Sequence, residues 1–221
     1  MAYVLYVADT ETTGTDAEKH DIIEVCFWRV GSLDNILTQD DNKTWWMKPL
    51  NVASIEDEAL RVNKHKKEDI LHKTAEGKEK YKHPSEVLPE IEMWFMQDGA
   101  AAEERVLVGH NPDFDYKFLL KLWEKSGNAN EFPIGYWIDN SDGTRRHQIF
   151  KYDTMELVRL IDLCTGKKRN YYNLSSLVKA FNITKAQAHR ADGDTKMTKD
   201  LFLKIIEVLK PVLSEKFSDC Y

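Results

Sequence analysis

Tyr3-Val4-Leu5-Tyr6-Val7-Ala8-Asp9-Thr10-Glu11-Thr12-Thr13-Gly14 is an apolar run that ends in two acids and a turn. In an extended chain successive side chains alternate between faces. Val4, Tyr6 and Ala8 therefore line one face, and Leu5 and Val7 the other. Both faces are apolar, the pattern of a central strand covered on two sides. Asp9 and Glu11 are two residues apart, so they share a face where the strand ends. Carboxylates held this way repel one another unless a cation sits between them. Taken alone, Asp-x-Glu is common and reads more readily as a turn with two solvated acids.

Working outward, Ile22 to Val30 reads as a second strand and Thr44 to Met47 as a third that stops at Pro49. Hairpin connections predict antiparallel pairing of these three. Ile55 to Lys82 is polar and Lys/Glu-rich, with helical pieces and the look of a mobile segment. Pro84-Ser85-Glu86 opens a helix with Val87, Leu88, Ile91, Trp94 and Phe95 on one stripe. Arg105 to Val108 is a short strand, and a helix follows from about Phe114 to Lys125. Asn140-Ser141-Asp142-Gly143 between apolar runs predicts a β-hairpin within residues 128–150. The last helix spans Asp192 to Leu209, because Pro211 lacks the N–H that a helix interior needs. Strands first, then strands alternating with helices, predict an α/β fold whose sheet is antiparallel at one edge and parallel beyond. At 221 residues the chain reads as a single domain, 1–221, carrying the hairpin as an insertion.

Composition narrows the classes. The apolar fraction of 42% and charged fraction of 31% are those of a soluble globular protein. No apolar run approaches the roughly 20 residues that span a bilayer, and the N-terminal run lacks a basic n-region, so it reads as a strand and not a signal peptide. Cys26, Cys164 and Cys220 are scattered and odd in number, without a Cys-x-x-Cys. That argues against a disulfide framework or a cysteine-held zinc and favours a reducing, cytoplasmic setting. The net charge of −6 is unusual for a nucleic-acid partner. Carboxylates that bind divalent metals, with the metals meeting phosphate, would reconcile the two. The basic stretches Lys64-His65-Lys66-Lys67, Lys78 to Lys82, Arg145-Arg146 and Lys167-Lys168-Arg169 read as solvated faces.

Two further segments supply acids. In Gly109-His110-Asn111-Pro112-Asp113-Phe114-Asp115, Asp115 lines up with Phe118, Leu119 and Leu122 on the apolar stripe, whereas Asp113 lines up with Lys117, Lys121 and Glu124. An acid on an apolar stripe needs a partner, because an unpaired buried charge is costly. Asp115 is the candidate and Asp113 a helix-start residue. In Ala188-His189-Arg190-Ala191-Asp192-Gly193-Asp194-Thr195, the same test selects Asp194, in line with Met197, Leu201, Ile205 and Val208, over Asp192. On one helix His189 would lie about 140° from Asp194. A shared site therefore requires His189 to sit on the preceding loop.

These motifs together resemble the DnaQ-like family of 3′–5′ exonucleases in its DEDDh branch, within the ribonuclease-H-like superfamily. The family's motifs correspond to Asp9-Thr10-Glu11-Thr12-Thr13-Gly14, to His110-Asn111-Pro112-Asp113-Phe114-Asp115 and to His189 through Asp194. Ile22-Ile23-Glu24-Val25 resembles its second strand, Asp153-Thr154-Met155-Glu156-Leu157 its Asp-Thr strand end, and Asn173-Leu174-Ser175-Ser176-Leu177 its Leu-x-x-Leu helix. The hairpin of residues 128–149 exceeds what the family commonly places there, which leaves substrate choice open.

The resemblance implies a ribonuclease-H-like mixed sheet, three antiparallel strands then parallel ones, flanked by helices. It implies two Mg²⁺ or Mn²⁺ ions: Asp9 bridges both, Glu11 and Asp194 complete the nucleophile side, and Asp115 supports the other ion through water. Hard oxygen ligands suit these metals. His189 would be the general base, since an imidazole titrates near neutrality. The backbone of Thr10 to Thr12, with His110 and Asn111, would line the terminal nucleotide's pocket; Phe114 reads equally as pocket or core. The expected partners are single-stranded 3′ ends of DNA or RNA, with a polymerase or replication partner open and no membrane. The hairpin's Tyr136, Trp137, Arg145, Arg146 and His147 mix aromatics and cations as a single-strand-binding surface would, or form an ordinary edge hairpin. Three rival readings stand beside this one. An RNA-trimming exoribonuclease of the same family would share every motif. An endonuclease of the same architecture would cut circular single strands. A non-catalytic binding module should have lost an acid, and none is missing.

Overall fold

A computed structural model describes residues 3–32, 35–72, 79–185 and 190–216, with side chains undescribed at 37–40 and 212–216. Its centre is a five-stranded sheet in the order β3-β2-β1-β4-β7, built from β1 (Val4–Thr12), β2 (Ile22–Gly31), β3 (Ile36–Trp46), β4 (Arg105–Gly109) and β7 (Phe150–Asp153). The first three strands pair antiparallel, and β4 and β7 join in parallel. That is the mixed α/β sheet the sequence predicts. β1 is the middle strand, as its two apolar faces require.

The alternation of β1 sorts the two layers. Tyr6 and Ala8 pack with Phe27 and Leu107 under helices α3 (Pro84–Met96) and α4 (Pro112–Lys125), which contribute Leu88, Ile91, Phe95, Phe118, Leu119 and Trp123. Leu5 and Val7 face the opposite way, onto Phe202 of the long helix α7 (Ala191–Lys216). Helices α5 (Thr154–Thr165) and α6 (Leu174–Ala180) pack against α7 through Val158, Leu177, Leu201 and Ile205. At the start of β4, buried Arg105 donates to both carboxylate oxygens of Asp98 and to the carbonyls of Phe95, Ala100 and Pro133. This guanidinium ties the C-terminal end of α3 to the sheet.

Four expectations change. β3 begins eight residues before Thr44, at Ile36; its polar residues, with Asp41 opposite Arg29 and Asn42 opposite Trp28, suit an edge strand with one wet side. Phe150 belongs to β7 of the main sheet, so the hairpin itself is β5 (Tyr136–Asp139) and β6 (Arg145–Gln148). α7 runs through Pro211 instead of stopping before it; Pro211 is exposed, so the interruption lies where water can reach the helix backbone. The fourth change concerns the polar stretch Ile55 to Lys82, of which 73–78 lie outside the described residues and 55–72 and 79–82 are docked. Leu60, Ile70 and Tyr81, around the short helices α1 (Asp57–Asn63) and α2 (Lys67–Leu71), pack onto Ile23 of β2, and Lys80 stacks on Trp46 and Tyr81.

Candidate active site

Strand periodicity decides which acids meet. Asp9 and Glu11 project from β1 on the same side as Leu5 and Val7, toward α7, and there Asp194 waits in its first turn. One oxygen from each of Asp9, Glu11 and Asp194 lies within 4.8 Å of the others, the one such group among the described residues. Thr10, one residue out of phase, faces α4 instead. Its N–H and its hydroxyl both donate to Asp115 Oδ1, at 2.9 and 2.8 Å. Asp115 is therefore buried behind β1, beside the three-carboxylate cluster but outside it. The apolar-stripe test matches the burial in each pair: Asp115 is buried and Asp113 is exposed with Lys151 as its partner, while Asp194 is half-buried and Asp192 exposed.

The acids of the cluster raise one another's pKa values. Burial, then the charges of Asp115, Glu11 and Asp194, raise the Asp9 pKa well above the usual carboxylate range. Burial, with Asp194 and Glu24 next, pushes Glu11 up to about 8. Burial lifts Asp115 to about 7 against the opposing pull of its hydrogen bonds from Thr10. Carboxylates that resist ionisation in each other's company are the donor set a hard divalent cation neutralises, and all the ligand atoms are oxygens. The residues present fit such an ion.

The other expected residues distribute as follows. Thr12 is buried, with its hydroxyl donating to the Gly14 carbonyl at 2.6 Å. His110 Nδ1 lies 2.9 Å from Thr154 Oγ1, which anchors the ring against α5. Asn111 is exposed in a left-handed conformation, φ 68°, and its N–H donates to Asp153 Oδ1 at 3.1 Å. Phe114 is half-buried against Phe118, ring centres 4.8 Å apart. His189 lies outside the described residues. In the hairpin, Trp137 carries the Arg145 guanidinium 3.9 Å from its ring centre and donates to the Ala129 carbonyl, and His147 meets Tyr116 of α4. These contacts dock the hairpin beside the turn that bears Asp115.

A buried acid beside this cluster goes unmarked in the sequence reading. Glu24 is 0% exposed on β2, directly across from Glu11 in the strand register. His65 Nε2 lies 2.9 Å and Arg190 Nε 3.3 Å from its Oε2. These are charge contacts without hydrogen-bond alignment, and Oε1 has no hydrogen-bond partner among the described residues. Burial works against the Glu24 charge, but His65 and Arg190 outweigh it and hold the carboxyl below its ordinary range. His65, read as part of a solvated basic stretch, is buried, with Nδ1 2.6 Å from Tyr81 Oη. The signal was available: an acid inside the apolar run Ile22-Ile23-Glu24-Val25-Cys26-Phe27 must find a partner.

Comparison with known proteins accords with this geometry. The family described as RNase_T, exonuclease, matches residues 6–202. The chain is 27% identical over 213 residues to a PolC-type DNA polymerase III of Thermotoga maritima, covering 96% of this chain and 12% of that protein. It is 26% identical over 219 residues to ribonuclease T of Haemophilus influenzae, covering 94% of this chain and 81% of that protein. E. coli exonuclease I, solved with a dT13 oligonucleotide, shares the fold at a TM-score of 0.69 and 16% identity, over 96% of this chain and 43% of that one. The chain thus spans about an eighth of the polymerases it matches, at 12% of their length. Among the described residues no helix is long and apolar enough to cross a membrane.

Proposed function

This chain belongs to the exonuclease family, and from that premise we propose that it hydrolyses phosphodiester bonds from the 3′ end of single-stranded DNA, releasing nucleoside 5′-monophosphates. The observation that carries the reading is the convergence of Asp9, Glu11 and Asp194, one oxygen of each within 4.8 Å of the others. Asp9, Glu11 and Asp194 would hold divalent metal directly, and Asp115 would support a second ion through water. Two Mg²⁺ or Mn²⁺ ions, when bound, supply activation of the attacking water and charge neutralisation at the leaving 3′ oxygen.

The chain's own groups do the rest. Thr10 fixes the Asp115 carboxylate by two hydrogen bonds, so that it need not reorganise during the reaction. His189 accepts the proton of the attacking water. The backbone of Thr10 to Thr12 and the segment of His110 and Asn111 receive the terminal nucleotide. All of this lies in one exonuclease domain, in a reducing cytoplasmic setting that suits the free thiols of Cys26 and Cys164. Likeness to the PolC-type polymerase supports a DNA substrate and a polymerase partner. A second reading, trimming of RNA 3′ ends, is favoured by the 81% coverage of ribonuclease T.

The deciding experiment follows 5′-labelled single- and double-stranded DNA and RNA oligonucleotides of matched sequence, with Mg²⁺, with Mn²⁺ and with EDTA. Metal-dependent shortening from the 3′ end, fastest on single-stranded DNA, is expected. Cleavage of a circular single strand would make the protein an endonuclease. No turnover on any substrate would leave a binding module.

A further inference from the structure

Glu24 is a fully buried acid in the same neighbourhood as the carboxylate cluster, yet it is not one of the three acids that converge. Its neighbours link the two sides of the site. From below, the docked segment holds it: Tyr81 Oη lies 2.6 Å from His65 Nδ1, and His65 Nε2 lies 2.9 Å from Glu24 Oε2. The same segment touches β1 directly, because Asn63 Nδ2 donates to the Thr12 carbonyl at 3.0 Å. From above, Glu24 meets Arg190 Nε at 3.3 Å. Arg190 immediately precedes α7, and its carbonyl accepts the Asp194 N–H at 2.9 Å, closing the turn that presents Asp194.

We propose that Glu24 is a positioning residue: through Arg190 it fixes the first turn of α7, and thereby sets Asp194 against Asp9 and Glu11. His65 and Tyr81 keep the Glu24 carboxylate aimed at Arg190. Moving the start of a helix by a fraction of an ångström changes the span of a three-carboxylate site, because Asp9 and Glu11 stand on the sheet while Asp194 stands on α7. Partners that orient metal ligands from behind are worth about 10–100-fold in affinity.

The proposal deepens the metal-dependent reading of the site, and its test separates the two. Mn²⁺ binding to the full chain is measured by calorimetry, with thermal unfolding and oligonucleotide hydrolysis alongside. A role through the field alone and a role through position differ in sign at Arg190. Arg190→Gln removes a positive charge beside three carboxylates, so the field alone would tighten Mn²⁺ binding. Positioning predicts the reverse, a loss of about tenfold. Glu24→Gln, close to isosteric, should lose a similar factor, and the double variant should be no worse than the weaker single, because both cut one link. In hydrolysis the loss should fall on kcat, with KM for the oligonucleotide nearly unchanged. Tighter Mn²⁺ binding in Arg190→Gln, or additive losses in the double variant, overturns the positioning role. Mn²⁺ binding that is lost as expected in a chain that hydrolyses no nucleic acid would overturn the nuclease reading and leave this one standing.

Discussion

Thr10 and Asp115 are 105 residues apart in sequence, yet Thr10 gives Asp115 Oδ1 both its N–H and its hydroxyl, at 2.9 and 2.8 Å. The strand's own pleat separates this acid from its three companions. Asp9 and Glu11 look toward α7, and the residue between them looks toward α4. One strand end thus builds two walls of the site at once.

Thr10→Val keeps the side chain's shape and the backbone donor but removes the 2.8 Å bond. A hydrogen bond to a charged group contributes about 1.5–3 kcal/mol. Urea unfolding at neutral pH should show a loss near the lower end of that range, and hydrolysis should slow about tenfold as Asp115 loosens. Unchanged stability and rate would mean that the hydroxyl does not hold Asp115.

The acids of the site carry a pH signature. Glu11 ordinarily titrates at 4.5 and is pushed up to about 8, and Asp115 rises from 3.8 to about 7. Between the two values the folded chain retains protons that the unfolded chain has released, so rising pH destabilises the fold. In EDTA the melting temperature should fall from the pH of the unfolded titration to that of the folded one. Added Mn²⁺ should restore it most at the alkaline end. A melting temperature in EDTA that stays level or climbs across that window contradicts the raised values.

Glu11→Gln should separate stability from activity. It deletes one of three mutually repelling charges, so the metal-free protein should melt several degrees higher at pH 8, near the midpoint of the Glu11 titration, and its pH slope should flatten. Losing a metal ligand should remove several kcal/mol of transition-state stabilisation, on the order of a thousandfold in rate. A variant that is both less stable without metal and fully active would count against the cluster.

At the other end of the sheet, Asp98→Ala leaves the Arg105 guanidinium buried without its carboxylate. Breaking a buried pair costs about 3–5 kcal/mol. Arg105 pairs with Val4 at the start of β1, whereas the acids lie at its far end. The folded fraction should therefore keep its kcat while the urea midpoint drops sharply; a matching fall in kcat would reveal coupling along β4.

Much of this is legible in the sequence. Two apolar faces made β1 central, and helical phase separated Asp115 from Asp113 and Asp194 from Asp192, because both signals are local and periodic. Contacts between distant segments were not legible. Nothing in the order of residues says that Thr10 would donate twice to Asp115 Oδ1, or that His65, within a run of lysines, would turn inward to Glu24. β3 was underestimated for a related reason: the backbone pairing that defines its first half is supplied by β2 and leaves no apolar alternation to find. The helix that passes Pro211 shows a local rule yielding to its surroundings.

The cluster takes Asp9 and Glu11 from one end of the described chain and Asp194 from the other. Contacts of such separation form late, since a long loop must close before they can. During synthesis the chain would emerge with its first two acids exposed and no third to join them. The candidate metal site is thus incomplete until the segment bearing Asp194 has been made and has packed against β1.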